Sequence, residues 1–171
     1  MHLLLISVLA LTTFFVNAAP QTAWKDYSSV EGKFSATMPD EPRTSMIVTE
    51  TSEGPLRTHT VSATDKDLNE YMVSWTMYDK NVEYKGTAKN FDRVRDALIW
   101  SKGGKLVSES AISMVGRAGR AITFTDSDGR VVKARFYFVG NRFYQVMAES
   151  RSKPDSTDSD RFLESFKVQG S

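Results

Sequence analysis

The chain opens on an apolar run, Leu3 to Val16, that carries no charge and ends in the small residues Asn17-Ala18-Ala19. A secretory h-region takes about 7–15 apolar residues, whereas a membrane-spanning helix takes about 20. The run therefore predicts a signal peptide over residues 1–18, cut at Val16-Asn17-Ala18. Cutting one residue later would leave Pro20 at the new N-terminus. No later stretch is apolar enough to span a bilayer. The expectation is an exported chain, periplasmic or extracellular, with no transmembrane segment once matured.

Residues 19–30 read as a polar leader holding Trp24 and Tyr27. Glu31-Gly32 then turns the chain into Phe34-Ser35-Ala36-Thr37-Met38, which alternates as a half-buried strand does and is ended by Pro39 and Pro42. Arg43–Glu50 and Leu56–Thr64 are rich in Thr, Val and Ile and flank Ser52-Glu53-Gly54-Pro55, so they predict a hairpin. Tyr71 to Tyr78 alternates again, with Tyr71, Val73, Trp75 and Met77 on one side. The period then changes: Phe91, Val94 and Leu98 mark a helix face, with Thr87 or Asn90 as its cap. Ser101-Lys102-Gly103-Gly104-Lys105 closes that helix, and Lys105–Ser113 is the next strand.

Between Ala121 and Ser150 the pairing register can be worked out. Asp126-Ser127-Asp128-Gly129 fits a type I turn with glycine in the left-handed position, which opposes Thr125 to Val131, Phe124 to Val132 and Ile122 to Ala134. Ile122, Phe124, Val132, Phe136 and Phe138 then share one side. A two-residue loop would instead face Ile122 against Lys133, so the apolar pattern selects the bulged turn. Gly140-Asn141 fits a two-residue hairpin loop, pairing Phe138 with Phe143 and Tyr137 with Tyr144. Both sides carry bulk, which predicts cover on each face. Thr157-Asp158-Ser159-Asp160 starts a terminal helix whose buried stripe is Phe162, Leu163 and Phe166. The fold class expected is α+β, one antiparallel sheet sandwiched by helices, in a single domain over residues 31–171.

Composition narrows the chemistry. Twenty-two Lys and Arg against twenty-one Asp and Glu leave a net charge of +1, without the basic excess of a nucleic-acid module. The absence of cysteine excludes a disulfide framework, a zinc–thiolate site, a thiol nucleophile and a lipid carried on cysteine. An exported domain of this size must hold together by its core alone; near 150 residues it can bury about 68–70% of its unfolded surface.

His59 is the one histidine after the leader and lies inside a hairpin strand, where it is expected to be exposed. A triad would need it beside a strained nucleophile turn, and no Gly-x-Ser-x-Gly occurs. Asp126, Asp128 and Gly129 resemble half a calcium loop, and Asp155, Asp158 and Asp160 form a second acidic group. Neither supplies the alternating ligands and bidentate Glu of an EF-hand, and turn and cap chemistry account for both. The scattered methionines are core fillers. No catalytic, cofactor-binding or metal-binding residue is assigned. Arg117, Arg120, Lys133, Arg135 and Arg142 fall in adjoining strands and turns. Of these, Arg117, Arg120 and Arg135 are the candidate surface-binding residues, although charges screening a strand edge would look the same.

Several motifs together carry a resemblance: Trp24-x-x-Tyr27, Glu31-Gly32-x-Phe34-Ser35, Met38-Pro39, Gly103-Gly104-Lys105-Leu106, Gly116-x-x-Gly119-Arg120, Val139-Gly140-Asn141-Arg142-x-Tyr144-Gln145, Asp160-Arg161-Phe162 and Ser165-Phe166. The chain resembles a family of uncharacterised exported bacterial proteins over most of its mature length. In strand and helix order it also looks like the PsbP/Mog-type α/β/α sandwich. The second likeness implies a non-enzymatic protein that docks onto membrane complexes and helps retain ions there. It carries over no functional residue. Three readings follow: an accessory or assembly module acting through a protein surface, with a partner in the cell envelope; a small hydrolase or ligand-binding enzyme with a cleft between sheet and helix; and a metal-retaining accessory protein.

Overall fold

The computed structural model describes residues 24–52, 54–78, 86–151 and 157–169. The expected signal peptide, Glu53 and Asp155 lie outside them. Ten strands and two helices follow in the order β1 (Trp24–Ser29), β2 (Phe34–Pro39), β3 (Arg43–Thr51), β4 (Gly54–Thr64), β5 (Glu70–Met77), α1 (Ala88–Ser101), β6 (Lys105–Met114), β7 (Arg117–Thr125), β8 (Val131–Val139), β9 (Arg142–Ser150), α2 (Thr157–Ser165) and β10 (Lys167–Val168). The strands form a seven-stranded sheet, β3-β4-β5-β9-β8-β7-β6, and a three-stranded sheet, β1-β2-β10, with every pairing antiparallel.

The register read from the turns is the register formed. Thr125 faces Val131, Phe124 faces Val132 and Ile122 faces Ala134. Phe138 faces Phe143 and Tyr137 faces Tyr144. Gly129 takes φ +79° in its turn, and the Asp126 carboxylate accepts the amides of Asp128 and Arg130 at 2.9 and 2.8 Å. That is the turn chemistry expected of this aspartate.

Both faces of the large sheet are covered. On one, Ile122, Phe124, Val132, Phe136 and Phe138 pack with Phe91 and Met147 beneath α1, whose N-cap is Thr87. On the other, Val61, Val73, Trp75, Tyr144 and Val146 pack with Phe34, Phe162 and Phe166. The cover on that second face is not helix alone: α2 shares it with the small sheet. Phe34–Met38 therefore belongs to a separate layer, and the domain is mostly sheet.

The stretch read as a polar leader is corrected at Trp24–Ser29, which is a strand paired along its whole length with β2. Its polar outer positions hide the pattern. What holds it is Trp24 set edge-on to Tyr71 at 5.1 Å and Tyr27 against Phe34 at 6.1 Å.

Candidate functional site

One lateral row crosses all seven strands on the small-sheet side: Met46, His59, Trp75, Tyr144, Tyr137, Gly119 and Ile112, each opposite the next. The centre of the row is sealed. Phe34 lies edge-on to Trp75 at 5.4 Å and to Tyr144 at 6.5 Å, and Phe166 stacks on Tyr137 at 5.9 Å. Gly119 is small because Tyr137 lies over it: a Cβ there would stand 2.7 Å from the ring. Toward β3 the row emerges from this cover, and a cleft of about 390 Å³ opens where it does.

The small sheet supplies Tyr27, Ser29 and Glu31 to this cleft, and the large sheet supplies Thr44, Ser45, Met46, His59, Thr60 and Trp75. The His59 imidazole lies parallel to the Trp75 indole, centroids 5.0 Å apart and planes 13° off, with Nε2 at 3.4 Å from Glu31 Oε1. The histidine expected to be exposed is therefore corrected: its side chain is only 17% exposed. The indole behind it and the small-sheet turn beside it remove the water. Trp75 itself is 4% exposed, and its Nε1 is buried with no acceptor among the described residues. Burial pushes the Tyr27 phenol above its ordinary pKa.

The cleft offers hydroxyls, one imidazole and one carboxylate. Ser29 Oγ accepts the Gly32 amide at 2.9 Å. Among the described residues no hydroxyl of the cleft hydrogen-bonds to His59, so a nucleophile–base pair is not assembled in it. Among the described residues no three His, Asp or Glu side chains gather as a metal site.

The three candidate arginines do not converge. Arg117 is exposed at the start of β7. Arg135 is half-buried on the α2 side and donates to the Leu163 carbonyl at 3.1 Å. Arg120 is on the opposite face, 17% exposed, ion-paired with Glu109 and Asp92 and 5.5 Å over the Phe91 ring. Lys133 is held by Asp160 at 2.9 Å. Sequence reasoning missed Tyr27, Glu31 and Trp75 as cleft residues; the β4–β5 register, His59 opposite Trp75, would have pointed to Trp75 alone.

The β3 edge bounds the cleft. All nine residues of β3 are exposed, including Met46 (52%), Ile47 (65%) and Val48 (45%), and β3 pairs only with β4 among the described residues. Its register has no break, and its sequence holds no lysine and no proline. The opposite edge, β6, differs. It carries a bulge between Leu106 and Ser108, and its Glu109 is tied down by Arg95 and Arg120.

No family model matches the sequence, and no curated protein matches it. In three dimensions the chain is similar to cyanobacterial PsbP (CyanoP) from Synechocystis sp. PCC 6803, at 14% identity and a TM-score of 0.58, over 92% of this chain and 98% of that one. The likeness establishes a PsbP-like fold, and at that identity the fold alone. Among the described residues no helix is long and apolar enough to cross a membrane.

Proposed function

We propose that this chain is an exported, non-catalytic assembly module that binds a protein partner of the cell envelope by adding a strand of that partner to β3. The observation that carries the reading is the β3 edge, exposed along nine residues in unbroken register, with its charges, Arg43 and Glu50, kept to the ends and Met46–Val48 uncharged between them. Unpaired N–H and C=O groups along a strand edge supply affinity to any extended segment, and Met46, Ile47 and Val48 supply apolar contact on both faces. The apolar run at residues 3–16 supports export. The CyanoP-like fold is compatible with an accessory role.

Site-specific photo-crosslinking tests it. A benzophenone side chain at Val48 is expected to capture a protein through an extended segment, while the same group at Val115, 64% exposed between β6 and β7, captures none. Equal capture from both positions, or none from Val48, overturns the reading.

A second reading, small-ligand binding in the His59–Trp75 cleft, is favoured by the buried Trp75 Nε1, a donor without an acceptor among the described residues. A ligand that accepts from it would shift the Trp75 emission, and Trp75→Phe would abolish that shift.

A further inference from the structure

We infer that the strand added at β3 is β3 of a second copy, antiparallel to the first about a two-fold axis through Ile47. This rests on the strand-addition reading above and names its partner. The chain is then a homodimer whose two seven-stranded sheets join edge to edge.

The pattern of the strand carries the argument. Arg43-Thr44-Ser45-Met46-Ile47-Val48-Thr49-Glu50-Thr51 runs polar, apolar, polar in three blocks of three, and Ile47 is its midpoint. A two-fold axis normal to the sheet keeps each face on its own side, so only residues of equal parity can stand opposite each other. With the axis at Ile47, Ile47 meets itself, Met46 meets Val48, Ser45 meets Thr49 and Thr44 meets Glu50. Every apolar side chain meets an apolar one and no like charges face each other. Moving the axis by one residue breaks this: at Met46, Ile47 would face Ser45; at Val48, Met46 would face Glu50. The same reasoning that selects a hairpin register selects this one.

The second copy also completes the cleft. Met46 is paired with His59, so the even-numbered residues of β3 lie on the cleft side. In this register Val48 of the second copy arrives beside Met46, and its Glu50 beside Thr44. Each cleft then has a wall from both copies, with a carboxylate from the second at its mouth. The other edge, β6, lacks this apolar-centred symmetry and carries a bulge between Leu106 and Ser108 and an ion pair at Glu109.

The chain has no cysteine, so one introduced thiol reports on itself alone. Light scattering of the purified chain is expected to give twice the chain mass, and Ile47→Lys to halve it, with circular dichroism unchanged. Ile47→Cys places two thiols at the axis and is expected to give a disulfide-linked dimer on mild oxidation. Glu50→Cys places them about 20 Å apart along the strands, beyond the roughly 7 Å limit for a disulfide, and is expected not to link. A monomer at micromolar concentration, a dimer indifferent to Ile47→Lys, or a Glu50→Cys chain that links as readily as Ile47→Cys overturns the dimer. If the protein is monomeric while Val48 still captures a different protein, strand addition stands and only the identity of its partner falls.

Discussion

The Tyr144 hydroxyl donates to the Gly32 carbonyl at 2.8 Å, joining residues 112 positions apart and fastening the β1–β2 turn of the small sheet to the centre of the large one. Burial pushes the Tyr144 phenol up to about 12, with the Arg142 charge opposing. Tyr144→Phe leaves the buried carbonyl without its partner and is expected to cost about 1–3 kcal/mol, read as a fall in melting temperature. The raised pKa fixes the pH behaviour. The folded state favours the neutral phenol, so this contribution is whole below pH 10, the ordinary tyrosine value, and is lost as pH rises toward 12. The gap between wild type and Tyr144→Phe is expected to narrow in that window.

Glu149 behaves oppositely. Its side chain is 5% exposed and accepts from Lys102 and from Arg130, the latter at 2.6 Å. Burial alone would raise its pKa, but the hydrogen bonds from Lys102 and then Arg130 outweigh it and hold the carboxyl below its usual value. A depressed pKa contributes stability that is present above the unfolded value of 4.5 and lost as pH falls below it. Glu149→Gln is expected to cost about 1–2 kcal/mol at neutral pH, low in the range for charged hydrogen bonds because both cations stay partly wetted. Urea midpoints for the two proteins should converge as pH drops from 5 to 3.

Gly119 tests the aromatic row. An alanine Cβ would meet the Tyr137 ring at 2.7 Å and the Phe136 carbonyl at 2.9 Å, and the carbonyl cannot swing aside. Gly119→Ala is expected to lose about 1–3 kcal/mol by overpacking, visible in thermal unfolding. A melting temperature equal to wild type would show that the row is looser than described.

Arg120 and Arg117 separate internal from available charge. Arg120→Ala removes one of the two guanidiniums paired with Glu109 and Asp92, leaving Arg95, and uncovers Phe91, and is expected to destabilise by about 1–3 kcal/mol. Arg117→Ala is expected to stay within about 0.5 kcal/mol. Calorimetry on both variants checks the difference.

What the sequence made legible was whatever its turns dictate. Gly129 and Gly140 set β7, β8 and β9 in register, and period-two counting then sorted Phe124, Phe136 and Phe138 to one side. The same counting should have separated Arg117 from Arg120, because residues three apart on a strand face opposite ways. Strand β1 was hidden because Lys25, Asp26 and Ser28 blur the alternation, and its hold comes from Tyr71 and Phe34, far along the chain. The partial burial of His59 was hidden for a similar reason. It depends on Trp75 in the neighbouring strand and on Glu31 in the other sheet, and no local spacing encodes that meeting.

The first and last strands both lie against β2: Lys167 faces Ser35, and the Gln169 amide reaches the Lys33 carbonyl at 2.7 Å. A polypeptide that emerges N-terminus first cannot shut its larger core until Phe162, Leu163 and Phe166 have come through. Until then β2 has no β10 and the aromatic row stays uncapped. Closure of this core therefore waits for α2 and β10, which together act as its latch.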